Sequence, residues 1–147
     1  MASEIGRLRQ LAAIKSGRAD RYGFEGLGWS EHIEGACGEL AVAKALKVYW
    51  DGSINTFSAP DLEGGVQVRT RSRADYELII READNSDQIY VLVTGRCPAY
   101  AVVGWILGAH GKREEWARSH GGRQSAFFVP HSALNDMTSF HRRAYAN

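Results

Sequence analysis

The chain has few of the residues that build special scaffolds. Its two cysteines, Cys37 and Cys97, form no CxxC pair and have no zinc-ligand spacing, which excludes a disulfide framework and a structural zinc site. Three prolines leave no proline-rich linker, and neither a repeat nor a low-complexity segment is present. Long apolar runs are missing too: none reaches 18 residues, and Arg7, Arg9 and Lys15 interrupt the start. A signal peptide and a membrane span are therefore not expected, and the two thiols fit a reduced, cytoplasmic setting. Charge of one sign is also lacking, since 18 basic against 17 acidic residues give a net +1, which by itself selects no partner.

What is present is enough for one core. With 44% hydrophobic residues in 147, a single domain over residues 1–147 is expected. Charge is unevenly placed. Residues 1–24 carry five basic and two acidic side chains, residues 25–65 two and seven, and residues 110–147 six and three. Carboxylates thus concentrate between two basic ends, an arrangement suited to a metal pocket beside a phosphate-binding surface and equally met in ordinary domains.

Ile5, Leu8, Leu11, Ala12 and Ile14 recur at helical spacing and predict an amphipathic helix over 3–15, with Ser3 as N-cap and Gly17 past its end. Its Arg7, Arg9 and Lys15 are read as a solvated face, with phosphate contact as the alternative. Residues 18–30 read as a loop whose Tyr22, Phe24 and Trp29 are assigned to packing ahead of base stacking. A second helix is predicted over 32–46, capped by Ser30, with Glu31 and Glu34 at its positive end. Each glycine inside a helix costs about 1 kcal/mol relative to alanine. Gly35 and Gly38 therefore imply a helix lying close against a sheet. His32, Gly35 and Glu39 share one of its faces, whereas Ala36, Leu40, Ala43 and Leu46 supply the apolar stripe.

Residues 48–57 hold a strand candidate broken at Asp51-Gly52. Apolar runs at 76–80, 89–95 and 100–108 read as strands that should pair antiparallel in succession, the last two inside a sheet covered by helices. Short helices are expected over 111–118 and from Ser132 to Met137, with a strand at 127–129 between them. Trp105 and Trp116 are assigned to the core. His110, His120, His131 and His141 lack metal spacing, and Gly121-Gly122-Arg123 is too short to cradle a phosphate.

The chemistry-bearing stretch is Ser58 to Arg73, SAPDLEGGVQVRTRSR. A Gly-Gly turn follows Pro60-Asp61, and Val66 to Thr70 then alternate apolar and polar as a half-buried strand does, so Gln67 and Arg69 share a face with Asp61 brought in across the turn. A helix-borne Glu, then Pro-Asp, then a strand with acid-x-Lys is the motif order of the PD-(D/E)XK nuclease superfamily, which covers restriction enzymes, Holliday-junction resolvases and phage exonucleases. This chain resembles it over roughly residues 31–107, with Glu39, Pro60-Asp61 and Gln67-Val68-Arg69 at the motif positions, Gln standing for the second acid and Arg for the lysine.

The resemblance implies an α/β fold with a central mixed β-sheet flanked by helices, a restriction-endonuclease-like core. It implies metal-dependent hydrolysis of phosphodiester bonds in DNA, with catalytic roles for Glu39, Asp61, Gln67 and Arg69. Mg2+ or Mn2+ would be held by Asp61, Gln67, the Val68 carbonyl and Glu39. Nucleic acid, DNA in the first place, would be contacted by His32, Arg71 and Arg73; homodimerisation is compatible with the family, and a phage-encoded protein of this size would work inside the host cell. Gln67 offers an oxygen without charge, and Arg69 can stabilise a phosphate but cannot act as a base. These two substitutions also suit a second function, a catalytically inactive nuclease-fold module that binds nucleic acid or a protein partner.

Overall fold

Helix α1 (Ala2–Lys15) and helix α2 (Leu27–Leu46) open the chain in a computed structural model that describes residues 1–16, 27–54, 59–119 and 125–140. Both start earlier than their spacing predicts. Ser3 and Ser30 therefore lie inside helices and do not cap them, and Trp29 sits on an exposed helical turn, while Gly17, Tyr22, Phe24, His120, Gly121 to Arg123 and His141 fall outside the described residues.

The buried face of α1 is also the reverse of the expected one. It rests on α2 through Ala2, Gly6 and Gln10, leaving Leu8, Leu11 and Ile14 exposed at 46%, 44% and 55%. Gly6 explains this. A Cβ there would lie 2.5 Å from Ile33 Cα, so the two helices approach backbone to backbone, and only the small-residue face of α1 permits it.

Among the described residues six strands follow, β1 (Val66–Arg71), β2 (Leu78–Arg81), β3 (Ile89–Arg96), β4 (Ala99–Leu107), β5 (Ala117–Arg118) and β6 (Ala126–Val129). They form two three-stranded sheets, ordered β1-β3-β4 and β2-β6-β5. β1 runs parallel to β3, Val66 opposite Ile89 through Arg71 opposite Thr94, and β3 runs antiparallel to β4. The first sheet is thus mixed, as expected. Succession of antiparallel pairs is not observed for β2, which leaves β1 and β3 to pair with β6. Residues 48–54 form no strand, and the short helices expected over 111–118 and 132–137 are replaced by helix α3 (Gly108–Gly111), the two-residue β5 and 3-10 turns at Glu114–Trp116, His131–Ala133 and Met137–Ser139.

Alternation along β3 decides the layering. Ile89, Val91 and Val93 join Val42, Ala43 and Leu46 of α2, Val66 and Val68 of β1, and Trp105 in one cluster. Tyr90 and Leu92 point the other way, onto Leu78, Ile80, Phe127 and Val129 of the second sheet. β3 is apolar on both faces because it lies between two layers. The chain is therefore mixed α/β with α2 on one side of the central sheet and the second sheet on the other, in place of helices on both. β4 is at the sheet's edge and keeps alternate residues near its start exposed. Among the described residues no helix is long and apolar enough to cross a membrane.

Candidate functional site

The turn between Leu62 and Val66 builds one half of the site. Leu62 N–H donates to the Val66 carbonyl at 3.1 Å around Glu63-Gly64-Gly65. Gly64 and Gly65 have φ of 78° and 76°, in the left-handed region where a side chain is strained, so a Gly-Gly pair is what lets the chain return so tightly. Asp61 is thereby laid beside β1, and its Oδ2 accepts the Val68 N–H at 2.7 Å. Val66 and Val68 turn their backbone groups to the open edge of β1, away from β3. Because N–H and C=O of one strand residue point the same way, the Val68 carbonyl faces the Asp61 side as well.

The other half comes from α2. Gly38 has the Thr70 side chain where its Cβ would be, so α2 is seated directly on β1 and the next residue, Glu39, is carried to the strand. Gly35 has open space around it and plays no such part. Glu39 is buried, and both its oxygens are engaged: Arg9 of α1 forks onto them, its Nη2 at 2.8 Å from Oε2, and Trp50 Nε1 donates to Oε2 at 3.0 Å. Arg9 Nε also donates to the Ser53 carbonyl at 2.9 Å. Burial works against the Arg9 cation, yet the bond to Glu39 and the charges of Glu39, Asp61 and Asp51 outweigh it and raise its pKa. Burial, then the neighbouring Glu39 charge, push the Asp61 carboxyl up to about 6, against the opposing pull of the Val68 N–H, Arg69 and Arg9.

Gln67 and Arg69 share a face as the alternation predicts, with Arg69 Nη1 3.5 Å from Gln67 Oε1 and Gln67 Nε2 donating to the Ala59 carbonyl at 3.3 Å. Arg69 is chiefly held elsewhere. Its Nη2 donates to Asp84 Oδ2 at 2.9 Å, and its guanidinium lies 5.1 Å from the centre of the Tyr90 ring. Tyr90 is pushed up to about 12 by burial and by Asp84, so it remains a neutral donor, bonded to the Asn85 carbonyl at 3.0 Å. Arg71 and Arg73 gather at the far end of the strand, 4.7 and 5.2 Å from the Tyr76 ring centre, and Arg73 pairs with Asp75. His32 lies two turns before Glu39, partly buried where α1 crosses, its carbonyl against Gly6.

Asp61 and Val68 are therefore brought together at the edge of β1, with the Glu39 charge acting on Asp61 from the α2 side. Gln67 and Arg69 lie on the opposite face of the strand with Tyr90, whereas Arg71 and Arg73 gather at its far end and His32 stays where α1 crosses α2. Sequence reading missed Arg9, Trp50 and Asp84. Arg9 had a signal: Ala2, Gly6, Arg9 and Gln10 share one helical face, and an interior glycine marks that face as close-packed. Trp50 and Asp84 lie in irregular segments that no period reveals. Among the described residues no three His, Cys, Asp or Glu side chains group to hold a metal ion, so any such ion must use the amide and carbonyl oxygens too. Comparison with family models, curated proteins and solved structures finds no match to this chain.

Proposed function

We propose that the protein is a metal-dependent nuclease that hydrolyses phosphodiester bonds in DNA at a variant PD-(D/E)XK site. One observation carries this reading: the Asp61 carboxylate rests on the Val68 N–H at the open edge of β1, beside the buried Glu39 of a helix seated on that strand. The donors are all oxygen and few, which suits magnesium or manganese and leaves positions for phosphate and water. Asp61 and the Val68 carbonyl would hold the ion, with Gln67 adding a neutral oxygen. A divalent ion bound there supplies a water of lowered pKa and charge for the phosphoryl oxygens.

The chain's own contributions are positional and electrostatic. The Val68 N–H fixes the rotamer of Asp61. Arg69, paired with Asp84 through Nη2 and resting on Tyr90, has Nη1, at only 3.5 Å from Gln67 Oε1, as its arm toward a phosphate oxygen, and it cannot take a proton. Arg71 and Arg73 continue the positive face along the strand for the flanking backbone.

Incubation with branched, single-stranded and double-stranded DNA in Mg2+ or Mn2+ should give cleavage that Asp61→Ala abolishes and that Gln67→Glu, which restores the missing charge, keeps or raises. Absence of cleavage by the wild type, or equal cleavage by Asp61→Ala, defeats the proposal. The fork of Arg9 over both Glu39 oxygens favours a second reading, a nuclease-fold module that binds nucleic acid without cutting it. Such a module would show no metal-dependent stabilisation, where an active site shows about 1–3 kcal/mol at saturating ion. Its DNA affinity would still fall steeply with salt.

A further inference from the structure

We propose that Arg9 is the resident cation of the carboxylate site and competes with a divalent ion for Glu39. The inference rests on the nuclease reading above and names a device that the PD-Asp and strand motif does not contain. Three Arg9 nitrogens are spent inside the protein, two on the Glu39 carboxylate and one on the Ser53 carbonyl. With Trp50 added, each Glu39 oxygen already has a donor.

The pair is not a surface ornament: its side chains are 18% and 7% exposed, and a fork onto a carboxylate at that depth is geometrically specific and little screened by salt. A divalent ion that takes an oxygen of Glu39 draws on a carboxylate that already accepts three hydrogen bonds, and so weakens the fork it shares. It would also place two positive charges beside the guanidinium, which already feels Asp61 and Asp51. Ion and guanidinium are alternative partners for the same negative charge.

The fork is one of several contacts that dock α1. Gly6 lies against the Ile33 backbone, Ser3 Oγ is 3.9 Å from Cys37 Sγ and Ile5 packs at Gly52, while Leu8 and Leu11 face outward, so weakening the fork loosens the helix without removing its other contacts. Ion binding and docking of α1 are therefore coupled with negative sign, and such coupling is reciprocal. If docking of Arg9 weakens the ion by some factor, the ion weakens docking of α1 by the same factor.

Two measurements without DNA test this. Mn2+ binding by calorimetry at pH 7.5 should tighten on the order of tenfold in Arg9→Gln and by less in Arg9→Lys, which keeps the charge and loses the fork. Hydrogen exchange of the wild type should show the α1 amides exchanging faster with saturating Mg2+ than with chelator. Arg9→Gln leaves Glu39 buried without a counter-ion; should it fail to fold, Arg9→Lys and the exchange measurement decide. If the wild type binds Mn2+ but the variants bind it no tighter and α1 exchange does not rise, the Arg9 proposal is overturned and the nuclease reading stands. If neither wild type nor variants bind Mn2+, both fall together.

Discussion

At the scale of single residues, the charge state of Asp61 links the site to stability. Its carboxyl titrates near 6 in the folded chain and near 3.8 when unfolded, so between these values the folded state binds more protons. Stability of the metal-free protein then falls as pH rises through that window, and the penalty, absent below it, is complete above it. Its size is of order 3 kcal/mol at neutral pH. Asp61→Asn removes the charge and should make the chelator-treated protein about 1–3 kcal/mol more stable than wild type at pH 8, with little difference at pH 4, as read by urea unfolding. If Asp61→Asn brings no added stability at pH 8, Asp61 is not strained by its setting. The shared face of Gln67 and Arg69 was legible because a strand repeats every two residues. Their partners were not: Asp84 reaches Arg69 from the turn after β2, and Arg9 reaches Glu39 from another helix, and no local pattern encodes such meetings.

Elements show the same division between local and distant causes. The glycine-bared face of α2 correctly predicted close approach to a sheet, but only Gly38 serves it. For α1 the apolar period pointed the wrong way, since the close contact at Gly6 outweighs the burial that Leu8, Leu11 and Ile14 would gain. A pair of substitutions separates these causes. Gly38→Ala adds a methyl where Thr70 stands and should destabilise by roughly 1–3 kcal/mol, although alanine is the better helix former. Leu8→Gln and Leu11→Gln, on the exposed side, should change stability by less than about 0.5 kcal/mol. Thermal unfolding of the three variants checks both statements; a large loss from Leu8→Gln would show that the outer face of α1 is covered in solution.

For the whole molecule, the central fact is that β3 belongs to two cores. The sequence made this legible in part: an apolar run on both faces must be covered on both sides, and IYVLV is covered, but what covers its second face was wrongly expected to be helical. The runs at 76–80 and 127–129 were legible as strands, but nothing local encodes that β2 pairs with so distant a strand as β6, and the two-residue β5 is too short for any period to show. Because the clusters share β3, they should melt as one. Leu92→Ala empties part of the cluster between the sheets and should cost about 2–5 kcal/mol. The unfolding midpoint seen by tryptophan fluorescence, to which Trp105 of the other cluster contributes, should fall together with that seen by far-ultraviolet circular dichroism. Separate midpoints would show two independently stable layers.

The pairing of β2 with β6 also sets a timetable for synthesis. β2 is complete at Arg81, but the strand it needs begins only at Ala126, and at about 5–20 residues per second the ribosome delivers it some seconds later. During that interval α2, β1, β3 and β4 can assemble around Val91 and Trp105, while Leu78, Ile80, Tyr90 and Leu92 wait without their cover. The apolar side of β3 that finally lies between the sheets is thus the surface a nascent chain must shield longest, and it is where a chaperone that holds emerging polypeptide would find its grip.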